Sequence, residues 1–241
     1  MAGLTGQKIV IVVPTYNEAE NVKLIIPEIL DAVPQADVMV VDDSSPDGTG
    51  EIVSAMAARD ARIKLFSRKG KEGLGKAYIA GFKKCLADGY DIIIQMDCDF
   101  SHKPAYLKDM LAQIEQYDLV LGSRYIKGGG TTDWALYRQF LSRGGNFYAR
   151  TILGIPFSDL TGGFKCWRRK VLESIDLDSI AAAGYAFQME MTFRSFKKGF
   201  KVKEIPIIFP DRTKGESKLG GDIFWESLGI PWKIRFGRNK A

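Results

Sequence analysis

The feature that most constrains this chain is the regular alternation of short apolar runs and helix-type segments along its first half. Lys8 to Val13 is a buried-strand run closed by Pro14; Val38 to Val41, Ile63 to Ser67, Ile92 to Met96 and Leu119 to Gly122 are four more. Between them, Glu18 to Val33, Thr49 to Arg59, Gly75 to Ala87 and Lys103 to Gln116 place apolar residues at helical spacing. Short strands joined by helices call for right-handed crossovers, so the pattern predicts an α/β fold with a doubly wound, mostly parallel sheet. In such sheets ligands bind beyond the carboxyl ends of the strands. The unusual residues of this sequence collect there.

The second half is less regular. Lys127 to Thr132, with three consecutive glycines, reads as a loop, and Trp134 to Leu153 as an amphipathic helix carrying Arg138, Arg143 and Arg150. Phe187 to Lys198 reads as a further helix and Lys201 to Phe209 as a strand broken by Pro206. The stretch Lys218 to Phe236 mixes aromatic and basic residues and is interrupted by Pro231. With 241 residues, 46% of them apolar, and no internal repeat or linker, one large core is expected.

Composition narrows the function. A net charge of +5 is modest for a nucleic-acid binder, so no nucleic-acid partner is expected. From Asp211 onward there are seven Lys/Arg against four Asp/Glu, which suits an anionic surface. Three widely spaced cysteines point to a reducing compartment, and a lone histidine, His102, cannot build a poly-His zinc site. There is no run long enough to cross a membrane and no signal-peptide core before Thr15, so a cytosolic or membrane-peripheral protein is expected.

The strongest motif is Gln95-Met96-Asp97-Cys98-Asp99-Phe100-Ser101-His102, two carboxylates one residue apart after an apolar strand. At a strand end both can face one pocket and hold a hard divalent cation whose shell is completed by substrate phosphates. Asp42-Asp43 follows the second strand, where nucleotide folds commonly hold a ribose or base, and leads into Ser44-Ser45-Pro46-Asp47-Gly48, a turn suited to capping the next helix. Pro14-Thr15-Tyr16-Asn17-Glu18 closes the first strand with an aromatic face and a carboxylate, Asn17 being placed to cap the helix that follows. Gly70 to Lys76 matches part of a phosphate loop, but Ala77 stands where the magnesium-binding hydroxyl belongs, so it reads as a plain strand-to-helix turn. Arg124 ends the fifth strand, and Arg138 and Ser142 lie one helical turn apart, a set able to hold a phosphate. Arg212 and Lys218 flank a turn at Gly215 and could close over a diphosphate.

Taken together, Val-Pro-Thr-Tyr-Asn-Glu at 13 to 18, Val-Asp-Asp-x-Ser-Pro-Asp-Gly-Thr at 41 to 49, Met-Asp-x-Asp-x-Ser-His at 96 to 102, Gly-Ser-Arg-Tyr at 122 to 125, Asp-Leu-Thr-Gly-Gly-Phe at 159 to 164, Gln-Met-Glu-Met at 188 to 191 and Asp-Arg-x-x-Gly-Glu-Ser-Lys-Leu-Gly at 211 to 220 resemble the dolichol-phosphate mannose synthases. These are family 2 glycosyltransferases with the Rossmann-like GT-A fold. The resemblance implies a catalytic domain over residues 1–217 and a C-terminal amphipathic, membrane-interfacial segment over 218–241. It implies inverting transfer of mannose from GDP-mannose to dolichyl or another polyprenyl phosphate, with Mg²⁺ or Mn²⁺. It also implies a peripheral location on the cytoplasmic face of a membrane, the endoplasmic reticulum or the plasma membrane according to the organism, with small membrane-anchoring subunits as possible partners.

Carried over residue by residue, Pro14, Tyr16, Glu18, Val41 and Asp43 become guanosine contacts, while Asp97, Cys98 and Asp99 line the diphosphate and metal. Asp99 is the principal ligand, with Ser101 where some members place another. Arg212 and Lys218 resemble the clamp on the donor diphosphate; Arg124, Arg138 and Ser142 resemble the acceptor-phosphate site. Asp99, Arg124, Arg212 and Lys218 form the expected catalytic group, Arg124 serving donor and acceptor alike. Cys98 stands where the family usually has Ala, and the membrane-spanning helices of many relatives have no counterpart, as in the short form of the family.

A phosphate monoester suits this set of residues. Its second pKa is about 6, so it is an anionic nucleophile at neutral pH and needs no protein base. The alternatives are a different donor, such as UDP-glucose, and a non-catalytic nucleotide-binding subunit, against which the intact Asp97/Asp99 pair argues.

Overall fold

The computed structural model describes residues 4–180, 184–210 and 221–237, the last stretch with side chains from Leu228 onward. The first half follows the alternation: β1 (Ile9–Thr15), α1 (Ala19–Ala32), β2 (Asp37–Asp42), α2 (Thr49–Ala57), β3 (Ile63–Ser67), α3 (Leu74–Ala87), β4 (Ile92–Gln95), α4 (Leu107–Ile114) and β5 (Leu119–Ser123). The second half adds β6 (Gly130–Thr132), α5 (Leu136–Leu153), β7 (Lys165–Arg168), α6 (Arg169–Ser174), α7 (Tyr185–Lys197), β8 (Val202–Pro206), β9 (Ile208–Pro210) and α8 (Gly221–Phe236).

Seven strands form one sheet in the order β3-β2-β1-β4-β7-β5-β8, and β6 pairs with β9 beside it. All neighbours in the large sheet are parallel except β7, which runs antiparallel between β4 and β5. Period-two alternation sorts the strand side chains between two cores. Ile9, Ile11, Val13, Val38, Val40, Ile92 and Ile94 pack with Val22, Ile26, Val53 and Met110 of α1, α2 and α4. Val10, Val12, Met39, Val41 and Ile93 pack with Phe82, Leu153, Val171 and Phe187 of α3, α5, α6 and α7. The sheet is buried on both faces, which is why its strands read as unbroken apolar runs.

Three local expectations are corrected. Pro14 does not close β1: pairing with β2 continues through Pro14 and Thr15, while pairing with β4 stops at Val12, so the missing N–H falls past the last β4 partner. Pro231 does not interrupt the last helix, which runs through it. Docking offsets the lost backbone bond: Pro231 and Ile234 are buried, the Trp232 Nε1 donates to the Tyr148 hydroxyl at 2.9 Å, and that hydroxyl donates to the Leu228 carbonyl at 2.9 Å. The stretch expected as a loop at 127–132 ends in strand β6. The expected boundary at 217/218 lies outside the described residues.

Candidate active site

Four non-glycine residues have left-handed backbone φ among the described residues, and three of them, Asn17 (61°), Ser44 (53°) and Phe100 (59°), follow β1, β2 and β4 at one edge of the sheet. Such conformations persist only where neighbours enforce them, and they gather at functional sites. Here the neighbours are visible. The Asn17 amide donates to Ser45 Oγ at 3.1 Å, the Glu18 amide to Thr49 Oγ1 at 3.0 Å and the Ala19 amide to Asp47 Oδ2 at 3.0 Å. Asn17 therefore does not cap α1, as its left-handed φ already implies; the loop after β2 supplies the acceptors. Asp47 serves two helices at once, since its Oδ1 also accepts from the Thr49 amide at 3.1 Å.

The two acids after β2 have different tasks. Asp42 is a strut, accepting from Thr15 Oγ1 at 2.8 Å and from the Ser45 hydroxyl and amide. Asp43 faces a cleft of about 190 Å³ bounded by Pro14, Tyr16 and Glu18 from the end of β1 and by Asp97, Cys98 and Asp99 from the end of β4. It is ion-paired with Arg68 at 2.5 Å, and both side chains are almost wholly buried. Val41, expected as a guanosine contact, does not line this cleft. Its side chain is fully buried in the core beneath α3, where its Cγ2 lies against Gly81.

The segment dismissed as a plain turn returns on the opposite wall. Lys71, Gly73, Leu74 and Ala77 line the cleft, and Lys71 Nζ sits 3.9 Å from the centroid of the Tyr16 ring. The partial phosphate-loop spacing was the available signal.

The Asp-x-Asp loop is held from beneath. Tyr78, fully buried on α3 and stacked on Phe187 with centroids 6.2 Å apart, donates to Asp97 Oδ1 at 2.7 Å. His102 accepts from the Asp97 amide on Nδ1 at 3.0 Å while its ring stacks on Phe164 at 4.9 Å. Burial pushes the His102 pKa below that of an ordinary histidine, against the pull of Asp97 and Asp99, so a neutral ring keeps Nδ1 as an acceptor. Burial likewise pushes the Cys98 thiol far up, keeping it protonated. The Asp99 carboxylate accepts from the Ser101 amide at 3.1 Å, and Ser101 Oγ is buried with no hydrogen-bond partner among the described residues.

Two carboxylates and an unpartnered hydroxyl are hard oxygen donors of the kind Mg²⁺ or Mn²⁺ takes. No cluster of three His, Cys, Asp or Glu suited to a metal exists among the described residues. The set fits a cation whose remaining ligands come from phosphate oxygens and water.

A second cluster lies across the sheet edge, after β5. Arg124 makes a bidentate pair with the fully buried Asp159, Nε to Oδ2 and Nη2 to Oδ1 both at 2.7 Å, and its Nη2 also donates to Thr161 Oγ1 at 2.8 Å. Burial works against the charged Asp159, but the Arg124 guanidinium outweighs it and holds the carboxyl below the usual range. Arg138 lies 3.9 Å over the Trp134 ring, which Arg124 also approaches, at 5.6 Å. The Tyr125 hydroxyl donates to Ser142 Oγ at 2.6 Å. Arg124, Arg138 and Ser142 thus gather around Trp134 and Tyr125. The indole nitrogen of Trp134 is buried with no partner among the described residues.

Asn146 ties α5 to this cluster. It accepts from the Leu160 amide at 2.7 Å and donates to Thr161 Oγ1 at 3.1 Å. The segment Asp159 to Phe164 joins the two clusters: Asp159 and Thr161 hold Arg124, Phe164 carries His102, and a Cβ on Gly163 would stand 3.4 Å from Asp97 Oδ2. Arg212 and Lys218 lie outside the described residues.

A strand-edge cleft over paired aspartates, facing a cluster of arginines, is the layout of a nucleotide-sugar-dependent transferase. The family model for glycosyl transferase family 2 matches residues 10–176, and the chain belongs to that family. It is 43% identical over 221 residues to the undecaprenyl-phosphate mannosyltransferase of Micrococcus luteus, covering 92% of this chain and 91% of the relative. It is 42% identical over 239 residues to the polyprenol monophosphomannose synthase of Mycolicibacterium smegmatis, covering 98% and 90%. Within the family it therefore stands among the polyprenyl-phosphate mannosyltransferases. Among solved structures, glucosyl-3-phosphoglycerate synthase from Mycobacterium tuberculosis with Mn²⁺, uridine diphosphate and phosphoglyceric acid superposes with a TM-score of 0.70 at 18% identity, over 100% of this chain and 82% of that one. At that identity the likeness shows the fold alone. No helix of the described residues is long and apolar enough to cross a membrane.

Proposed function

We propose that this glycosyltransferase moves mannose from GDP-mannose to dolichyl or another polyprenyl phosphate with inversion at the anomeric carbon. The observation that carries the reading is the cleft itself. Residues from the ends of two strands and from the loop after a third, Tyr16, Asp43 and Asp97 with Asp99, bound one cavity, as a nucleotide diphosphate requires. The mannosyl and polyprenyl-phosphate chemistry comes from the names of the two relatives.

In this reading Tyr16 and Lys71 flank the guanosine, and Asp43, held by Arg68, accepts from its base or ribose. Asp97 and Asp99, with Ser101, hold Mg²⁺ or Mn²⁺, which when bound supplies positive charge to the departing diphosphate. Tyr78 and His102 keep the Asp97 carboxylate and backbone in place. Arg212 and Lys218 are assigned to the donor diphosphate. Arg124, Arg138 and Ser142 hold the acceptor phosphate, with the Trp134 indole N–H as one more donor toward it. An acceptor already anionic at neutral pH attacks without a protein base, and the cationic cluster raises its local concentration. Peripheral attachment at the cytoplasmic face of a membrane, through α8 and any anchoring subunit, brings the enzyme to its lipid.

The test is purified protein with GDP-mannose, Mg²⁺ or Mn²⁺ and a polyprenyl phosphate, with UDP-glucose run in parallel. Mannosylated lipid that disappears with EDTA and with Asp99→Ala is expected. Product with UDP-glucose alone would replace the donor, and undiminished turnover by Asp99→Ala would overturn the site.

A further inference from the structure

Between β3 and α3 the chain passes beside the donor cleft on a loop fixed at both ends. At its start Arg68 is tied to the end of β2: its amide donates to the Asp42 carbonyl at 2.7 Å, its carbonyl accepts from the Ser44 hydroxyl at 2.5 Å, and its guanidinium pairs with Asp43. At its end Gly73 has a φ of 102°, a backbone conformation that glycine adopts without strain, and its carbonyl opens α3 by accepting from the Ala77 amide at 3.1 Å. Lys71 lies between these anchors. A Cβ on Gly70 or on Gly73 would meet nothing within 4 Å, so the backbone on either side of Lys71 stands clear of other elements.

Lys71 Nζ lies over the Tyr16 ring, 3.9 Å from its centroid, and both residues bound the same cavity, so the ammonium covers the ring from the cleft side. The neighbouring carboxylate, Glu72, is engaged by Arg68 at 3.2 Å and by Lys76 at 3.1 Å, and Lys71 makes no ion pair among the described residues. A base cannot stack on the ring face that the ammonium holds, because stacked rings need that space for themselves. The cleft is also small: about 190 Å³, below the roughly 300–1,000 Å³ usual for small-molecule sites. Withdrawing the lysine head widens it at the aromatic wall. Lys71 is exposed and sits on a flexible four-carbon stem, so leaving the ring breaks one cation–π contact and little else.

We propose that Lys71 is a resident competitor for the nucleobase: before the donor enters, its ammonium holds the Tyr16 face, and as the base takes that face the ammonium passes to the diphosphate. The proposal rests on the nucleotide-sugar reading of this cleft and deepens it. A compact ammonium is a good point-charge partner for phosphate, and the diphosphate brings into the cavity the counter-charge that Lys71 otherwise lacks. A nucleoside without phosphates displaces the lysine and offers it nothing in return. The swap therefore favours nucleoside diphosphates over nucleosides by more than the phosphate contact alone.

Binding titrations of the full-length protein with guanosine, and with GDP in the presence of Mn²⁺, test it, with uridine and UDP run beside them. Lys71→Ala should bind guanosine about 2- to 5-fold more tightly than wild type, because the base no longer has a cation to displace. The same variant should bind GDP on the order of tenfold more weakly, because the diphosphate loses its ammonium. Lys71→Arg should return both affinities toward wild type. In a Tyr16→Leu background, Lys71→Ala should no longer tighten guanosine, since the ring the two compete for is gone. The Lys71 variants should keep the melting temperature of the wild type without ligand. Guanosine binding that Lys71→Ala leaves unchanged or weakens would overturn the proposal, and so would GDP binding that it leaves unchanged or tightens. If wild type takes UDP in preference to GDP, the guanosine reading of the donor fails, and the same opposite signs are then required of uridine and UDP. If wild type binds none of the four, the donor reading and the competitor role fall together.

Discussion

The buried Tyr78 hydroxyl donates a 2.7 Å hydrogen bond to Asp97 Oδ1, so the carboxylate at the edge of the cleft is fixed by a side chain that is itself shut off from solvent. A hydrogen bond to a charged acceptor contributes about 1.5–3 kcal/mol. Tyr78→Phe keeps the stacking on Phe187 and removes only the donor. We expect kcat/KM to fall on the order of 10- to 100-fold and the Mn²⁺ needed for half-maximal activity to rise, with the circular dichroism spectrum unchanged. Unaltered kinetics would remove the positioning role.

Arg124 and Asp159 form a buried pair whose breaking leaves one charge uncompensated. Asp159→Asn should cost about 3–5 kcal/mol. At about 2–4 °C per kcal/mol for a domain of this size, that is a drop in Tm of roughly 6–20 °C. Arg124→Lys should also destabilise, since an ammonium cannot make the two-point contact. Thermal melts of both variants check this, and a Tm within a degree or two of wild type would show that the pair is not what anchors the segment.

Lys165 is buried in β7, its ammonium donating to the Gln188 carbonyl at 2.7 Å and to Thr192 Oγ1 at 2.9 Å. Burial pushes its pKa down to about 7. The unfolded chain, with an ordinary lysine near ~10.4, binds more protons than the folded one between these two values, so stability should rise with pH across that window. Below about pH 7 the group is charged in both states and its contribution is flat. Lys165→Met should flatten this component of the Tm profile between pH 7 and 10 while leaving other titrations in place; a profile identical to wild type would contradict it.

A Cβ on Gly81 would lie 2.8 Å from Val12 Cγ1 and 3.0 Å from Val41 Cγ2, so α3 can rest on β1 and β2 only without one. Gly81→Ala should cost about 1–3 kcal/mol through overpacking, in spite of the better helix propensity of alanine. Denaturant unfolding measures it, and a stabilised variant would contradict the close approach.

Much of this was legible because burial leaves a period in the sequence. Strands covered on both faces read as apolar runs, and the acids that follow them stand out by contrast. β7 left no such trace: its four residues, Lys165 to Arg168, begin and end in cations, and only tertiary partners on α7 make Lys165 a core residue. Lys71 escaped because the test applied to its segment was for a magnesium-binding hydroxyl, whereas its place is against an aromatic ring. The pairing of Arg124 with Asp159 joins positions 35 residues apart and could not be read from spacing. Val41 came to the cleft with the family resemblance, whereas its side chain is buried in the core beneath α3 and does not line the cavity.

The reversed strand β7 has a consequence for how the chain is made. Until residues 165–168 leave the ribosome, β4 and β5 each lack the neighbour that lies between them in the finished sheet. A nascent chain that has emerged only through β5 therefore carries open, hydrogen-bond-hungry strand borders in its middle, and synthesis passes through an interval when sticking to other chains competes with closure.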